Sequence, residues 1–184
     1  MYYGKINEHD IANGTGVRVS LFVSGCTHHC PGCFNECAWD FKYGEYFTWK
    51  EKYRIIELLK PDHIDGLTIL GGEPLDPQNL FEVCSIVRDV RGVYDKRKTI
   101  WIYSGYTFEE LAGRGDYYTQ NILELVDVLV DGRFIEAEAD VSLPFRGSRN
   151  QRIIDVRKSL KKGAAVLLSG KGVPRVEKQP ESPK

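Results

Sequence analysis

The chain has 184 residues, 42% of them hydrophobic and 28% charged, enough to bury a core without disulfide or metal staples. Its 25 basic and 26 acidic residues leave a net charge of -1, so no global field draws it to nucleic acid or to an anionic membrane. No signal-peptide core and no apolar run of membrane-spanning length occurs in it, and a cytoplasmic location is expected.

In chain order, the first feature is Asn13-Gly14-Thr15-Gly16-Val17-Arg18, a turn rich in residues that accept unusual dihedrals. The apolar run Val19-Ser20-Leu21-Phe22-Val23 follows and reads as a strand. It leads directly into Cys26-Thr27-His28-His29-Cys30-Pro31-Gly32-Cys33, three thiols in eight residues. A strand that ends in such a turn delivers all three sulfurs to one end of its sheet. Three is one short of a closed structural metal site, whereas a site that performs chemistry keeps a position open. A zinc tetrahedron completed by Cys37, His28 or His29 is the competing arrangement, although no second Cys/His pair follows at zinc-module spacing. Four of the five cysteines lie between Cys26 and Cys37, which fits thiolates kept available for metal in a reducing compartment better than a disulfide framework.

Residues 48–60 read as a helix. Thr48 and Glu51 form a capping-box pattern, Trp49, Tyr53, Ile56 and Leu59 recur at helical spacing as an expected core stripe, and Pro61 stops it. Residues 67–70 form a short buried strand that runs into Gly71-Gly72-Glu73-Pro74, where missing Cβ atoms let backbone approach a ligand. Asp76-Pro77 opens the next helix, with Leu80, Val83, Cys84 and Val87 on its apolar face; Cys84 is expected to be a small buried hydrophobe. Residues 98–103 are the next strand, closed by Ser104-Gly105-Tyr106. A capping box at Thr107 and Glu110, helical residues 121–125, and a strand over 126–130 ending at Asp131-Gly132 complete the alternation.

Strand, helix, strand, helix argues for an α/β fold with a mostly parallel sheet covered by helices, whose carboxyl ends gather Cys26, Gly71, Ser104 and Asp131 on one rim. Beyond Phe145 the chain turns basic, with Arg146, Arg149, Arg152, Arg157, Lys158, Lys161 and Lys162 against Asp155. Lacking interleaved aromatics to stack bases, this stretch reads as a partner-facing surface, not an RNA site. Residues 163–168 suggest one more short strand, and from about 174 the polar, proline-containing end reads as a disordered tail.

The cysteine loop, the Gly71-Gly72-Glu73-Pro74 turn, Trp101-Ile102-Tyr103-Ser104-Gly105-Tyr106, residues 127–134 and Arg146-Gly147-Ser148-Arg149-Asn150-Gln151-Arg152 together resemble the radical S-adenosylmethionine (SAM) enzymes. Within them the match is to the glycyl-radical activating enzymes, in the branch serving anaerobic ribonucleoside-triphosphate reductase, over about residues 11–155. The resemblance implies a partial, open (β/α) barrel within an activase domain over 1–160, with residues 161–184 as an extension. It implies a [4Fe-4S] cluster on Cys26, Cys30 and Cys33 with SAM on the fourth iron. Gly32, Cys33 and Phe34 and Gly71, Gly72 and Glu73 would line SAM, and Ser104 and Asp131 are weaker candidates for its ribose or amino-acid end; Phe34 reads equally as packing. One electron would break the sulfonium bond, and the resulting radical would take hydrogen from a glycine of the reductase large subunit. An electron donor such as a flavodoxin is implied, as is the absence of nucleic-acid and membrane partners. Activation of another glycyl-radical enzyme, a small-molecule SAM reaction and a zinc module remain as alternatives. Gly72→Val is expected to weaken SAM binding while sparing the cluster. The thiol count predicts that Cys26→Ala, Cys30→Ala and Cys33→Ala each abolish an oxygen-sensitive cluster, while Cys37→Ala and Cys84→Ala retain it. Iron and sulfide analysis after anaerobic reconstitution reads this directly, and loss of the cluster in Cys37→Ala alone would establish a four-ligand site instead.

Overall fold

The computed structural model describes residues 1–169; the tail expected from about 174 lies outside them. Seven strands form: β1 (Tyr2–Asp10), β2 (Val17–Val23), β3 (Glu45–Tyr46), β4 (Ile64–Gly71), β5 (Thr99–Ser104), β6 (Val128–Asp131) and β7 (Arg152–Asp155). They are joined and flanked by α1 (Trp49–Leu58), α2 (Leu80–Tyr94), α3 (Phe108–Gly113), α4 (Tyr117–Leu125) and α5 (Val156–Lys162). One sheet contains all seven strands in the order β3-β1-β2-β4-β5-β6-β7. Its edges do not pair with each other, so the sheet is open.

The four central strands β2, β4, β5 and β6 run parallel, and each crossover between them passes through a helix, because a parallel return cannot be made by a tight turn. Strands β1, β3 and β7 pair antiparallel. The mostly parallel sheet expected from the alternation is therefore mixed, with a parallel centre and antiparallel edges. Strand β1 escapes a reading of the sequence because Ile6 is its only aliphatic residue and much of it is exposed. Strand β7 is hidden in a stretch dominated by arginines.

Successive side chains of a strand point to opposite faces, and the two faces of this sheet differ. Val19, Leu21, Leu67, Ile69, Ile100, Ile102 and Leu129 meet Ile55, Val83, Ile86, Val87, Leu111 and Ile122 of the helices in the main core. The opposite face carries a smaller cluster of Trp101, Val128, Val130 and Ile153, together with fully buried Arg18, Ser20 and Thr68. Helices cover the first face, and the second is left for the cavity.

The capping boxes at Thr48 and Thr107 are both formed, and Cys84 is buried in α2. The expected core stripe of α1 is corrected in part. Trp49 and Tyr53 are 71% and 61% exposed, whereas Leu59 is buried and Ile56 packs against the core as expected, with Ile55 buried beside them. Residues 163–168 pair with β7 through an isolated bridge, Ile154 with Leu167, and not as a strand. Helix α5 carries the chain past residue 160 to Lys162. Among the described residues no helix is long and apolar enough to cross a membrane.

Arg18 holds the non-helical face together. Its guanidinium is fully buried and donates to Thr68 Oγ1 at 2.6 Å, to Leu67 O at 2.7 Å and to Thr99 Oγ1 at 2.9 Å, joining β2, β4 and β5. It also lies 5.4 Å from the Trp101 ring centroid. None of these partners is a carboxylate, and burial pulls its pKa down to about 10. Removing the guanidinium leaves several buried acceptors short of donors, so Arg18→Ala should cost about 3 kcal/mol of unfolding free energy and Arg18→Met, which keeps the stem, somewhat less. Anaerobic urea denaturation tests both; parent-like stability of the alanine variant would remove Arg18 from this role.

Candidate functional site

The cysteine loop leaves β2 and is held to its neighbours by backbone bonds. Gly25 N donates to Ala38 O at 2.8 Å and Cys26 N to Trp39 O at 3.2 Å, while Gly72 N and Glu73 N, at the end of β4, donate to Val23 O and Gly25 O at 2.8 Å each. Thr27 Oγ1 donates to Asp76 Oδ2. The side-chain amide of Asn79, 1% exposed, donates to both Ser24 O and Glu73 O at 3.0 Å. This clamp, just ahead of α2, gives no signal in the sequence beyond an asparagine near a helix start.

Three residues of the loop have left-handed backbone: Gly25 at φ 94°, His29 at φ 48° and Gly32 at φ 69°. The paired glycines after β4 line the cavity and also answer a packing need. A Cβ on Gly71 would lie 2.5 Å from Val23 O, and one on Gly72 would lie 2.5 Å from Gly25 O and 2.8 Å from Ala38 O. Their missing side chains make room for the backbone at the end of β2 and of the segment that follows it.

A cavity of about 400 Å³ opens on this rim, lined by Cys26, Cys30, Cys33 and Phe34 from the first loop, by Gly71, Gly72 and Glu73 from the second, and by Ser104 from the third. The parallel centre of the sheet thus brings eight of the expected site residues together. Two are placed elsewhere. Gly32 does not line the cavity, and the position of its absent Cβ faces Glu136. Asp131 is fully buried outside the lining, where its carboxylate accepts from Phe108 N at 2.7 Å and pairs with Arg152. Its neighbour Gly132 lines the cavity instead.

Glu73 lies at the junction of all three loops. Its carboxylate accepts from Leu75 N at 2.8 Å, Ser104 Oγ at 2.8 Å, Gly105 N at 2.7 Å and His28 Nε2 at 2.9 Å. With four donors around it, the side chain is committed to the protein, and only its backbone remains for a ligand. The Ser104 hydroxyl is likewise occupied, donating to Glu73 and accepting from Tyr106 N.

Burial pushes the Cys26 thiol up to about 11, so a thiolate there needs the positive charge of bound metal to form at neutral pH. Asn35 N donates to Cys33 Sγ at 3.4 Å, a kind of bond that tunes metal-bound sulfur. Cys37 is exposed, lies outside the lining and donates to Asn35 Oδ1. His28 is engaged with Glu73, and His29 stacks on Trp39 at 4.7 Å. All three candidates for a fourth zinc ligand have other engagements. Among the described residues no three His, Cys, Asp or Glu groups converge on a single-ion site, while Cys26, Cys30 and Cys33 all line the one cavity. Three further polar atoms belong to cavity-lining residues, Trp39 Nε1, Tyr103 Oη and Arg146 Nε, and have no hydrogen-bond partner among the described residues. A wall with unmet donors suits a polar ligand.

The contacts of Gly72 revise what its substitution should do. Gly72→Val forces a branched side chain into the backbone of the cysteine loop, so iron content after reconstitution should fall several-fold, not SAM affinity alone. A full iron load with weakened SAM binding would restore the expectation drawn from the sequence.

Comparison with known proteins is consistent with this site. A family model described as a 4Fe-4S single cluster domain matches residues 12–154. The chain is 43% identical over 155 residues to the anaerobic ribonucleoside-triphosphate reductase-activating protein of Pasteurella multocida, covering 83% of this chain and 96% of that protein. It is 42% identical over 155 residues to the protein of that name from Vibrio cholerae, covering 83% and 97%, and 38% identical over 159 residues to that of Escherichia coli, covering 85% and 100%.

Proposed function

From its place in the family of anaerobic ribonucleoside-triphosphate reductase-activating proteins, to which this chain belongs, we infer that it activates a class III ribonucleotide reductase by generating a glycyl radical on it. The chain carries a [4Fe-4S] cluster and uses SAM. When bound, cluster and SAM together supply one-electron cleavage of a carbon-sulfur bond and so a carbon radical able to take hydrogen from glycine. The observation that carries the reading is the convergence of three thiols and the Gly71-Gly72-Glu73 backbone on one cavity at the carboxyl ends of parallel strands.

Cys26, Cys30 and Cys33 hold the cluster in this reading. The backbone of Gly71 to Glu73, with Cys33 and Phe34, lines SAM, and residues 1–160 act as one activase unit on the radical SAM plan of a partial (β/α) barrel. An electron donor such as a flavodoxin reduces the cluster in the cytoplasm. The protein's own contribution is to fix the thiols, to keep the cavity walls dry and to leave one side open for the substrate, which is itself a protein.

The open side suggests how that substrate approaches. Phe34, 75% exposed, packs edge to face on Phe134 at 5.2 Å beside the cavity; Ile11, next to the lining residue Ala12, and Val141, two positions from the lining residue Leu143, are 76% and 96% exposed. This apolar rim is a better docking surface than much of the basic stretch expected to serve. Arg149 is paired with Asp140 and Arg152 with Asp131 and Glu109, which commits both to the fold. With reduced protein, SAM and the cognate reductase, a glycyl-radical EPR doublet should appear on the reductase. Val141→Glu with Ile11→Glu should raise the reductase concentration needed for half-maximal yield by about tenfold. No doublet from a cluster that responds to SAM would assign a different substrate, and an unchanged concentration dependence would exclude the rim.

A further inference from the structure

The loop between Cys26 and Cys30 has His28 at its midpoint, and the cluster chemistry described above assigns that residue nothing. Its side chain is 4% exposed and its partner carboxylate, Glu73, 1% exposed. A carboxylate only accepts, so His28 Nε2 is the donor in their 2.9 Å contact. The imidazole meets Tyr106 edge to face at 4.3 Å. The Arg114 guanidinium lies 3.9 Å from the centroid of the same Tyr106 ring, and Arg114 Nη1 donates back to Leu75 O at 2.7 Å. The chain of contacts runs from the cysteine loop to the loop after β5 and closes on the loop after β4.

Gly105 shows that the fold makes room for this ring. Its backbone has no left-handed φ, so conformational freedom does not explain a glycine there. A Cβ at Gly105 would lie 2.6 Å from His28 Nε2, in the space the imidazole fills.

We propose that His28 is a positioning residue: by joining the middle of the Cys26 to Cys30 span to the Glu73 carboxylate, it sets the three thiols in register with the Gly71 to Glu73 backbone that receives the amino-acid end of SAM. The proposal rests on the site reading given above and adds a residue to it. The loop has other anchors, in Gly25 N to Ala38 O, Cys26 N to Trp39 O and Thr27 to Asp76, and these keep it attached when the imidazole is removed. What is lost is the alignment of one binding element against the other. Outer-shell partners of this kind are typically worth tenfold or more in affinity or activity.

The test is SAM titration of the reduced, reconstituted protein, read by the change in the cluster's EPR signal. His28→Ala should retain iron and sulfide close to the parent while needing roughly tenfold more SAM for half of the signal change. His28→Gln, whose amide can donate to Glu73, should recover part of the loss. Gly105→Ala keeps the histidine but displaces its ring, and should reproduce the His28→Ala defect. In the double variant the added methyl enters the vacated space, so its defect should be no larger than that of His28→Ala alone, a non-additivity expected only of coupled sites. A SAM titration unchanged in His28→Ala, or additive defects in the double variant, would overturn the proposal while leaving the cluster site standing. If His28→Ala fails to take up iron, Gly105→Ala and His28→Gln decide the matter by the same titration. A parent cluster with no response to SAM would bring down the site reading and this proposal with it.

Discussion

A carboxylate shut away from water must find donors within the protein or give up its charge, and Glu73 finds four on three different segments. The rim of the sheet is organised by that requirement. The loop after β2 contributes His28, the loop after β5 contributes the Ser104 hydroxyl and the Gly105 amide, and the chain leaving β4 folds back to contribute Leu75 N. None of the three could move far without stranding a buried acceptor at a cost of about 1–3 kcal/mol or more. Glycines stand where these loops pass one another because a side chain at Gly72 or Gly105 would occupy space that the next loop fills.

Below the rim, the two faces of the sheet divide the work. The helical side is apolar and buries the branched residues of β2, β4, β5 and β6 against α1 to α4, which supplies most of the hydrophobic free energy. The other side contains Arg18, Thr68 and the Tyr103 ring and is tied by hydrogen bonds. Such a face could not be the main core, since polar groups there demand partners. It is suited to border a cavity, where rigid walls and unmet donors are of use.

The arginines after Phe145 show how charge in a sequence can mislead. Read along the chain, they form a basic block with one acidic residue in it. In space, Arg152 lies between Asp131 and Glu109 and Arg149 beside Asp140, so acids from distant segments neutralise part of the block. The same contact removes Asp131 from the cavity, since a carboxylate already shared between Phe108 N and Arg152 has little left to offer a ligand.

The sequence by itself determined the parts of this protein that depend on local chemistry. The Cys26, Cys30, Cys33 spacing, the capping boxes at Thr48 and Thr107 and the alternation of helices with apolar strands are all written within a few residues of one another, where hydrogen bonds and periodicity act directly. What only the tertiary structure decided depends on residues far apart in the chain. The polar strand β1 has no apolar period and exists because β2 pairs with it. The face that α1 buries is set by its packing against the sheet and α2. The reason for Gly72 and Gly105 is the backbone or ring of another loop, and the commitment of Glu73, Ser104 and Asp131 follows from donors dozens of positions away. Local spacing specifies which groups can perform the chemistry, whereas their availability is settled by what packs against them, which a linear pattern does not encode.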